Sequence, residues 1–252
     1  MTIIAVTQAR SGSTRLPGKV LLPIADTTLL GLHLRRIADS QRIDELIVAT
    51  TTAPSDAAIV DLADAAKVAH YRGSEQDVLD RFYQAVKNRQ PDYVVRLTSD
   101  CPLIHAGLID KVIDFAVTNK LDYASNVLDP SFPDGQDVEV FTFAALAKAW
   151  TEARLASERE HVTPYIHKHS SFRGGTLFSS DNYTEGYDYG HLRMTVDESK
   201  DYRLMQALVA QLGTEATWLT YAEALETNAA LRAINAGIAR NEGYDNSLKN
   251  DG

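Results

Sequence analysis

The stretch that decides the fold lies near the amino terminus and reads Ile4-Ala5-Val6-Thr7-Gln8-Ala9-Arg10-Ser11-Gly12-Ser13-Thr14-Arg15-Leu16-Pro17-Gly18-Lys19-Val20-Leu21. An apolar strand runs directly into a loop that carries two glycines, three hydroxyl side chains and three cations. Glycine lets the backbone approach phosphate oxygens closely, and successive N–H groups can form an anion-binding nest. Arginine offers a planar fork for two oxygens, whereas lysine acts as a point charge. This order of strand, small-residue loop and cations predicts a nucleoside triphosphate site.

Two common phosphate-binding motifs are excluded by the spacing within this loop. A P-loop needs four residues between its glycines and a hydroxyl after its lysine. Here five residues separate Gly12 from Gly18, and Val20 follows Lys19. The dinucleotide-binding pattern Gly-x-Gly-x-x-Gly is also absent, because Ser13 and Thr14 follow Gly12.

Composition sets the broad class of the protein. The chain has 252 residues, of which 44% are hydrophobic and 23% charged, enough for an ordinary globular core. A formal net charge of −9 argues against a nucleic-acid partner and makes the cations of the first loop stand out. The single cysteine fits a reducing compartment. Because we find neither a signal peptide nor a run of about 18 apolar residues, we expect a cytoplasmic protein without membrane contact.

Hydrophobic periodicity predicts alternating strands and helices in the first half of the chain. Strands are predicted over residues 3–8, 45–51, 67–71 and 92–98, and helices over 29–38, 55–66, 74–86 and 108–118. This alternation implies an α/β fold with a mostly parallel sheet and right-handed crossovers. The second half is less regular: we predict strands over 136–141, 175–179 and 192–196, helices over 142–153, 158–168 and 200–212, and a frayed polar end over 245–252.

Several motifs, in one order over roughly residues 3–205, resemble those of the sugar-acid cytidylyltransferases. That superfamily includes the acylneuraminate and 3-deoxy-manno-octulosonate enzymes, and the most similar branch is named for the spore coat polysaccharide biosynthesis protein SpsF. Besides the first loop, the motifs are Val48-Ala49-Thr50-Thr51-Thr52, Arg72-Gly73-Ser74-Glu75, Arg96-Leu97-Thr98-Ser99-Asp100-Cys101-Pro102, Phe132-Pro133-Asp134-Gly135, Ser157-Glu158-Arg159-Glu160-His161 and Arg193-Met194-Thr195-Val196-Asp197. Two departures separate the chain from better-known members. The acylneuraminate enzymes usually have Gly-Gly-Ser-Lys in the first loop, and the octulosonate enzymes usually have Gln-Gly-Asp where this chain has Thr98-Ser99-Asp100.

The resemblance implies a fold and an activity. The fold would be a three-layer, Rossmann-like sheet of the GT-A nucleotide-diphospho-sugar transferase type, with helices on both faces. One domain would span 1–245, with a sugar-binding and dimerisation insertion over 127–190 and a polar tail over 246–252. The protein would be a Mg²⁺-dependent homodimeric enzyme that transfers CMP from CTP to a sugar or sugar-acid hydroxyl, releasing pyrophosphate, for surface polysaccharide biosynthesis. A glycosyltransferase that uses a nucleotide sugar and a non-catalytic nucleotide-binding subunit remain as alternatives.

The same resemblance assigns residues to the nucleotide and to catalysis. Predicted nucleotide contacts are Gln8, Ala9, Arg10, Ser11, Gly12, Ser13, Arg15, Lys19, Arg72 and Ser99, and predicted catalytic residues are Arg10, Lys19 and Asp100. Asp100 follows the fourth strand, and Asp197 ends the strand predicted over 192–196. Because strand carboxyl ends face the ligand crevice, both aspartates are expected beside the first loop. Mg²⁺ binds one or two carboxylates plus phosphate oxygens and waters, so we predict that this pair is its site. Helix N-capping is the alternative for both.

A second group of residues is predicted to contact the acceptor. Asp137 and Glu139 lie two apart on a predicted strand and therefore share one face, which could bind sugar hydroxyls or simply meet solvent. Arg81 lies on a helix whose N-terminus can bind an anion, and pairing with nearby carboxylates is the alternative. Glu158, Arg159 and His161 complete the group, although they could equally be solvated helix residues. His161 is also a candidate general base, with a structural role as the alternative.

Overall fold

A seven-stranded sheet forms the centre of the protein, in the computed structural model that describes residues 1–240, 242–249 and 251. The strand order is β5-β4-β1-β6-β8-β7-β9, and only the pairings of β8 with β6 and β7 are antiparallel. A two-stranded ribbon, β2–β3, lies outside it. The strands are β1 Ile3–Gln8, β2 Pro23–Ile24, β3 Thr27–Thr28, β4 Glu45–Thr51, β5 Ala69–Gly73, β6 Tyr93–Thr98, β7 Tyr123–Ser125, β8 Glu139–Thr142 and β9 Ser180–Asn182.

Helices cover both faces of this sheet. Along β1, Ile3 and Ala5 pack with residues of α1, α4, α8 and α9, whereas Ile4 and Val6 pack with residues of α3 and α5. This alternation gives the three layers that the sequence predicts. The helices are α1 Leu29–Ala38, α2 Ala57–Ala65, α3 Val78–Val86, α4 Ala106–Thr118, α5 Phe143–Glu152, α6 Ala156–His161, α7 Pro164–Lys168, α8 Ser199–Leu212, α9 Trp218–Thr227, α10 Ala229–Ala233 and α11 Glu242–Leu248.

Predictions for the first half of the chain are confirmed with small shifts. β1, α1 and β4 have the predicted bounds. The helix predicted over 55–66 begins as a 3-10 turn, Pro54–Asp56, and Ser55 lies inside that turn. β5 begins at Ala69 because Lys67 adopts a left-handed conformation, with φ of 57°.

Three predictions for the second half are wrong. Residues 192–196 are extended, with Leu192, Met194 and Val196 buried, but they join irregular segments instead of the sheet: Met194 N–H donates to the Asp134 carbonyl and Val196 N–H to that of Asp100. The strand predicted over 175–179 is displaced to β9. The helix predicted over 158–168 is divided into α6 and α7, because Pro164 cannot continue an α-helix.

The predicted frayed end also needs correction. Residues 242–248 form α11, and the Asp251 carboxylate accepts hydrogen bonds from the backbone N–H of Ser157, at 2.9 Å, and from its hydroxyl. The rest of the predicted tail at 250 and 252 lies outside the described residues. Within the described part of the chain, no helix combines the length and apolar character that crossing a membrane requires.

His33 on α1 joins two segments beneath the sheet's carboxyl end. Its Nδ1 lies 2.9 Å from the Cys101 carbonyl and its Nε2 lies 2.9 Å from the Thr7 hydroxyl. Because a carbonyl only accepts, Nδ1 carries the proton and the neutral ring satisfies both partners. Burial lowers the pKa of His33 to about 4.

This buried imidazole should make stability depend on pH. The unfolded chain binds a proton near pH 6.5, whereas the folded chain binds it only near pH 4. His33 therefore contributes fully above pH 6.5, and its contribution, about 3 kcal/mol, is lost as the pH falls to 4. Urea unfolding at several pH values should show a shallower acid decline in His33→Gln than in wild type. The exposed His70→Gln variant serves as control, and equal declines in all three proteins would refute this role.

Candidate active site

Hydrogen bonds to Asp56, which lies outside the first loop, help to fix the conformation of that loop. Asp56, in the turn after β4, accepts from the Ser11 backbone N–H at 2.7 Å and from its hydroxyl at 2.6 Å. The Ser11 carbonyl in turn accepts from the N–H groups of Ser13 and Gly18, both at 2.9 Å. Gly18 has φ of 68°, a left-handed conformation that glycine adopts without strain. These contacts fix the loop over the carboxyl end of β1.

Lys19 brings the two predicted metal ligands together. Its Nζ lies 3.4 Å from Asp100 Oδ2 and 2.9 Å from Asp197 Oδ1. Arg15 contacts the same Asp197 oxygen at 3.0 Å. The first loop, the end of β6 and the segment before α8 thus meet at one point, as the order of the motifs predicts.

The charge of Lys19 and nearby hydrogen-bond donors keep Asp100 ionised. Burial by itself would raise the pKa of Asp100, but Lys19 and hydrogen bonds from Thr98 and Cys101 outweigh it and lower that pKa to about 2. Burial likewise opposes the charge on Lys19, yet the two carboxylates raise its pKa above the usual value. At neutral pH the site therefore holds anionic oxygen ligands beside a permanent cation.

Arg193 fixes the position of Asp197. Its guanidinium donates to Asp134 at 2.7 Å, to Asp197 at 2.9 Å and to Asp201 at 2.9 Å. Asp201 also accepts from the backbone N–H groups of Asp197 and Glu198, at 3.0 Å each. The N-cap of α8 is therefore Glu198 instead of Asp197, and Asp201, at the third helical position, accepts from the backbone of that cap.

A cavity of 660 Å³ opens above the first loop. Its walls include most of the predicted nucleotide and catalytic residues, and also three residues predicted for the acceptor. These lining residues are Gln8, Ala9, Arg10, Ser13, Arg15, Lys19, Ser99, Asp100 and Asp197 from the first group, and Arg81, Arg159 and His161 from the second. Its position beside the loop suits a nucleotide.

Arg81 is a buried cation of this cavity, with 1% of its surface exposed. Among the described residues, no carboxylate lies within 4.0 Å of its guanidinium. Burial and, to a smaller extent, the charge of Arg10 lower the pKa of Arg81 to about 10.

A second cavity of 350 Å³ adjoins the first at Asp100, Asp197 and His161. Asp137 and Glu139 line it, so the structure brings this predicted pair to one wall. Neither carboxylate is free: Asp137 lies 2.8 Å from Arg240, and Glu139 accepts from Arg96 and, at 2.6 Å, from the Tyr123 hydroxyl. An acceptor in this cavity would lie beside the aspartate pair.

Four predicted site residues do not line either cavity. Ser11 is partly buried and bonds Asp56, whereas Gly12 is exposed beside Glu75. Arg72 donates to the backbone carbonyls of Thr51 and Ala53, at 2.9 Å each, and so supports the turn after β4. Glu158 is buried and accepts from the N–H groups of Arg154 and Leu155 at the start of α6. The contacts of Ser11, Arg72 and Glu158 thus support the first loop, the turn after β4 and the start of α6, and their predicted ligand contacts stay predictions.

Other residues at the site were not singled out from the sequence. Asp56 and Arg240 belong to this group, and the sequence gives no pattern that separates them from ordinary surface charges. Asp134 lies in one of the motifs, which assigns it no role. Arg96 could have been found, because an arginine inside the apolar run of β6 needs a specific partner. Gly135 lies in one of the motifs without an assigned role, and a Cβ there would lie 2.7 Å from the backbone of Met194 and Thr195.

The carboxyl-terminal segment closes over the junction of the two cavities. Glu242 and Gly243 border it, and Glu242 Oε2 lies 3.4 Å from Arg15. His161 Nε2 lies 2.7 Å from the Ser247 hydroxyl, and its ring meets Tyr244 edge-on at 5.1 Å. Burial, followed by Arg96, lowers the pKa of His161, so the imidazole is neutral at pH 7. His161 is thus placed between the cavities and held by α11.

A family profile described as "Cytidylyltransferase" matches residues 4–237, nearly the whole chain. The chain belongs to the cytidylyltransferase family. The spore coat polysaccharide biosynthesis protein SpsF of Bacillus subtilis is 30% identical over 219 residues, covering 84% of this chain and 88% of SpsF. An uncharacterized protein of Methanocaldococcus jannaschii is 42% identical over 204 residues, covering 81% and 82%. A cytidylyltransferase structure from Leptospira borgpetersenii superposes with a TM-score of 0.87 at 32% identity, covering 95% of this chain and all of that one.

These matches confirm the family, the branch and the fold that the motifs indicate. A cytidylyltransferase transfers CMP from CTP to an acceptor and releases pyrophosphate, so the protein is a nucleotidyltransferase. The glycosyltransferase alternative loses its support, because the match to the cytidylyltransferases includes the first loop, Asp100 and Asp197.

Proposed function

We propose that this enzyme transfers CMP from CTP to a hydroxyl of a sugar or sugar acid for surface polysaccharide biosynthesis. The observation that carries the proposal is the meeting of Lys19, Asp100 and Asp197 where the two cavities join. CTP would occupy the larger cavity and the acceptor the smaller one. The relation to SpsF, whose name refers to polysaccharide biosynthesis, supports the choice of pathway.

The Asp100–Asp197 pair suits a divalent cation that arrives with the nucleotide. Carboxylate oxygens are the ligands that Mg²⁺ prefers, and phosphate oxygens and water complete its shell. Among the described residues, no group of three or more His, Cys, Asp or Glu side chains could hold a metal alone. We therefore propose that Asp100 and Asp197 hold Mg²⁺ only together with CTP. When bound, the cation neutralises phosphate charge and lowers the pKa of a coordinated hydroxyl.

The protein's own side chains would orient the reactants, neutralise phosphate charge and accept the proton. Arg10, Arg15 and Lys19 neutralise the triphosphate and the departing pyrophosphate. The acceptor oxygen forms a bond to the α-phosphorus while the bond from that phosphorus to the pyrophosphate oxygen breaks. His161, neutral and bordering both cavities, accepts the hydroxyl proton.

The activity should depend on Mg²⁺, and Mg²⁺ binding should depend on bound CTP. After chelation, pyrophosphate release should fall by about 10³-fold and return with Mg²⁺, because the cation contributes several kcal/mol to charge stabilisation. Calorimetry should detect Mg²⁺ binding with a non-hydrolysable CTP analogue present and only weak binding without it. Full activity in chelator, or tight Mg²⁺ binding to the protein alone, would contradict this assignment.

A further inference from the structure

Helix α11 brings a buried hydroxyl group to the candidate active site. Ser247 is 7% exposed, whereas Leu248 and Lys249 beside it are exposed. The Ser247 Oγ lies 2.7 Å from Nε2 of His161. The His161 side chain is 26% exposed and borders both cavities. A residue of α11 therefore contacts the candidate general base.

Contacts on both sides of Ser247 hold α11 against the site. Glu242 Oε2, at the start of the helix, lies 3.4 Å from Arg15 of the first loop. The Asp251 carboxylate, beyond the end of the helix, accepts from the Ser157 backbone N–H at 2.9 Å. The hydroxyl of Ser247 is thus presented to the imidazole by a segment that is fixed both to the first loop and to α6.

The hydrogen bonds of this hydroxyl decide which ring nitrogen of His161 carries the proton. Ser247 Oγ lies 3.0 Å from the Gly243 carbonyl, which only accepts, so the single hydroxyl proton is directed there. The same oxygen then accepts from Nε2, and Nε2 carries the proton of the neutral ring. The Glu160 carboxylate, 3.9 Å from that nitrogen, favours this arrangement. The tautomer leaves the lone pair on Nδ1, which has no hydrogen-bond partner among the described residues.

We infer that Ser247 is a positioning residue, which orients the His161 ring so that Nδ1 takes the proton of the acceptor hydroxyl. This inference rests on the proposed function and assigns its proton transfer to one atom. As the hydroxyl proton moves to Nδ1, the hydroxyl oxygen bonds to the α-phosphorus, and the bond from that phosphorus to pyrophosphate breaks. The imidazolium still donates from Nε2 to Ser247. Burial lowers the pKa of His161, so the Nδ1 proton then passes to water.

Steady-state kinetics of the intact enzyme with CTP, Mg²⁺ and either 3-deoxy-manno-octulosonate or an acylneuraminate test this role. Ser247→Ala should lower kcat about 10-fold and leave KM for CTP within about twofold, because the ring orientation affects proton transfer and not nucleotide binding. Ser247→Thr keeps the hydroxyl and should restore most of kcat. Thr227→Val is the matched control and should behave as wild type. The Thr227 hydroxyl also donates to a carbonyl four residues earlier, at 2.7 Å, but Thr227 lies outside both cavities.

A double variant separates this role from a structural one. His161→Gln should lower kcat about 10²-fold, the contribution of a general base. Adding Ser247→Ala to it should cause no further loss, because Ser247 acts through the imidazole that is already absent. A further loss of about 10-fold in the double variant would show that Ser247 only supports the structure, and would overturn the inference.

The tautomer can be measured in wild-type protein without an acceptor. Proton–nitrogen correlation NMR of ¹⁵N-histidine-labelled protein, with the His161 signals assigned by their loss in His161→Gln, should show the proton on Nε2 at neutral pH. A proton on Nδ1, or wild-type kcat in Ser247→Ala, would overturn the inference while CMP transfer stands. Wild-type kcat in His161→Gln would instead remove the general base from the proposed function, and this inference with it.

Discussion

Asp100→Asn should lower kcat for pyrophosphate release by about 10³-fold while the protein remains folded. Asparagine keeps the volume of aspartate but loses the charge that lies 3.4 Å from Lys19. A bound metal supplies several kcal/mol to catalysis, and about 1.4 kcal/mol corresponds to each tenfold change in rate. Stability should change little, because Lys19 keeps Asp197 at 2.9 Å as its partner.

The measurement is steady-state kinetics together with thermal unfolding of each variant. Asp61→Asn, the same change at an exposed position on α2, is the control and should retain wild-type activity. The Mg²⁺ concentration that gives half-maximal rate should also rise in Asp100→Asn. Wild-type kcat in a folded Asp100→Asn protein would exclude Asp100 from the metal site.

Arg193→Met should lower the free energy of unfolding by about 3–5 kcal/mol, the cost of leaving buried charges without their partner. Asp134, Asp197 and Asp201 each lie within 2.9 Å of this guanidinium, and Asp201 is itself buried. Methionine fills similar space but supplies no charge. The loss should shrink as the pH falls, because burial raises the pKa of Asp134 to about 7 and its protonation removes part of the repulsion.

Urea unfolding of paired variants measures this effect. Arg203→Met, at an exposed position on α8, is the matched control and should change stability by less than about 0.5 kcal/mol. Arg193→Lys should fall between wild type and Arg193→Met, because lysine keeps the charge but not the fork. A loss below about 1 kcal/mol in Arg193→Met would show that the cluster does not depend on this cation.

The sequence was sufficient for the regular half of the fold because its signals there are local. β1 and β4 follow from short continuous apolar runs and α1 from apolar residues at helical spacing, and these signals depend only on neighbours along the chain. Residues 192–196 show the limit of the same argument. Their apolar residues predict a strand, but the pattern does not reveal whether a strand or a loop receives the hydrogen bonds.

The candidate site likewise has residues that the sequence could place and residues that it could not. Lys19 and Asp100 could be placed together because strand ends in a parallel sheet meet at one edge. Asp197 was expected there as the end of a sheet strand, but it reaches the site from a segment outside the sheet. Glu158 and Arg72 could not be separated from ligand-binding residues, since their contacts are with backbone groups that the sequence does not place next to them. The contact of Asp251 with Ser157 was missed because a polar segment carries no hydrophobic signal. The homodimer, the cytoplasmic location and the division at 127–190 stay predictions.

The most direct test of the central claim is ³¹P NMR of a reaction that contains the enzyme, CTP, Mg²⁺ and a panel of sugars and sugar acids as acceptors. Transfer of CMP predicts free pyrophosphate in equal amount to a new phosphodiester that joins cytidine to the sugar, with both signals absent when Asp100→Asn replaces wild type. Formation of CDP and inorganic phosphate, or CTP that stays intact while a nucleotide sugar is consumed, would contradict the assignment of this chain as a sugar cytidylyltransferase.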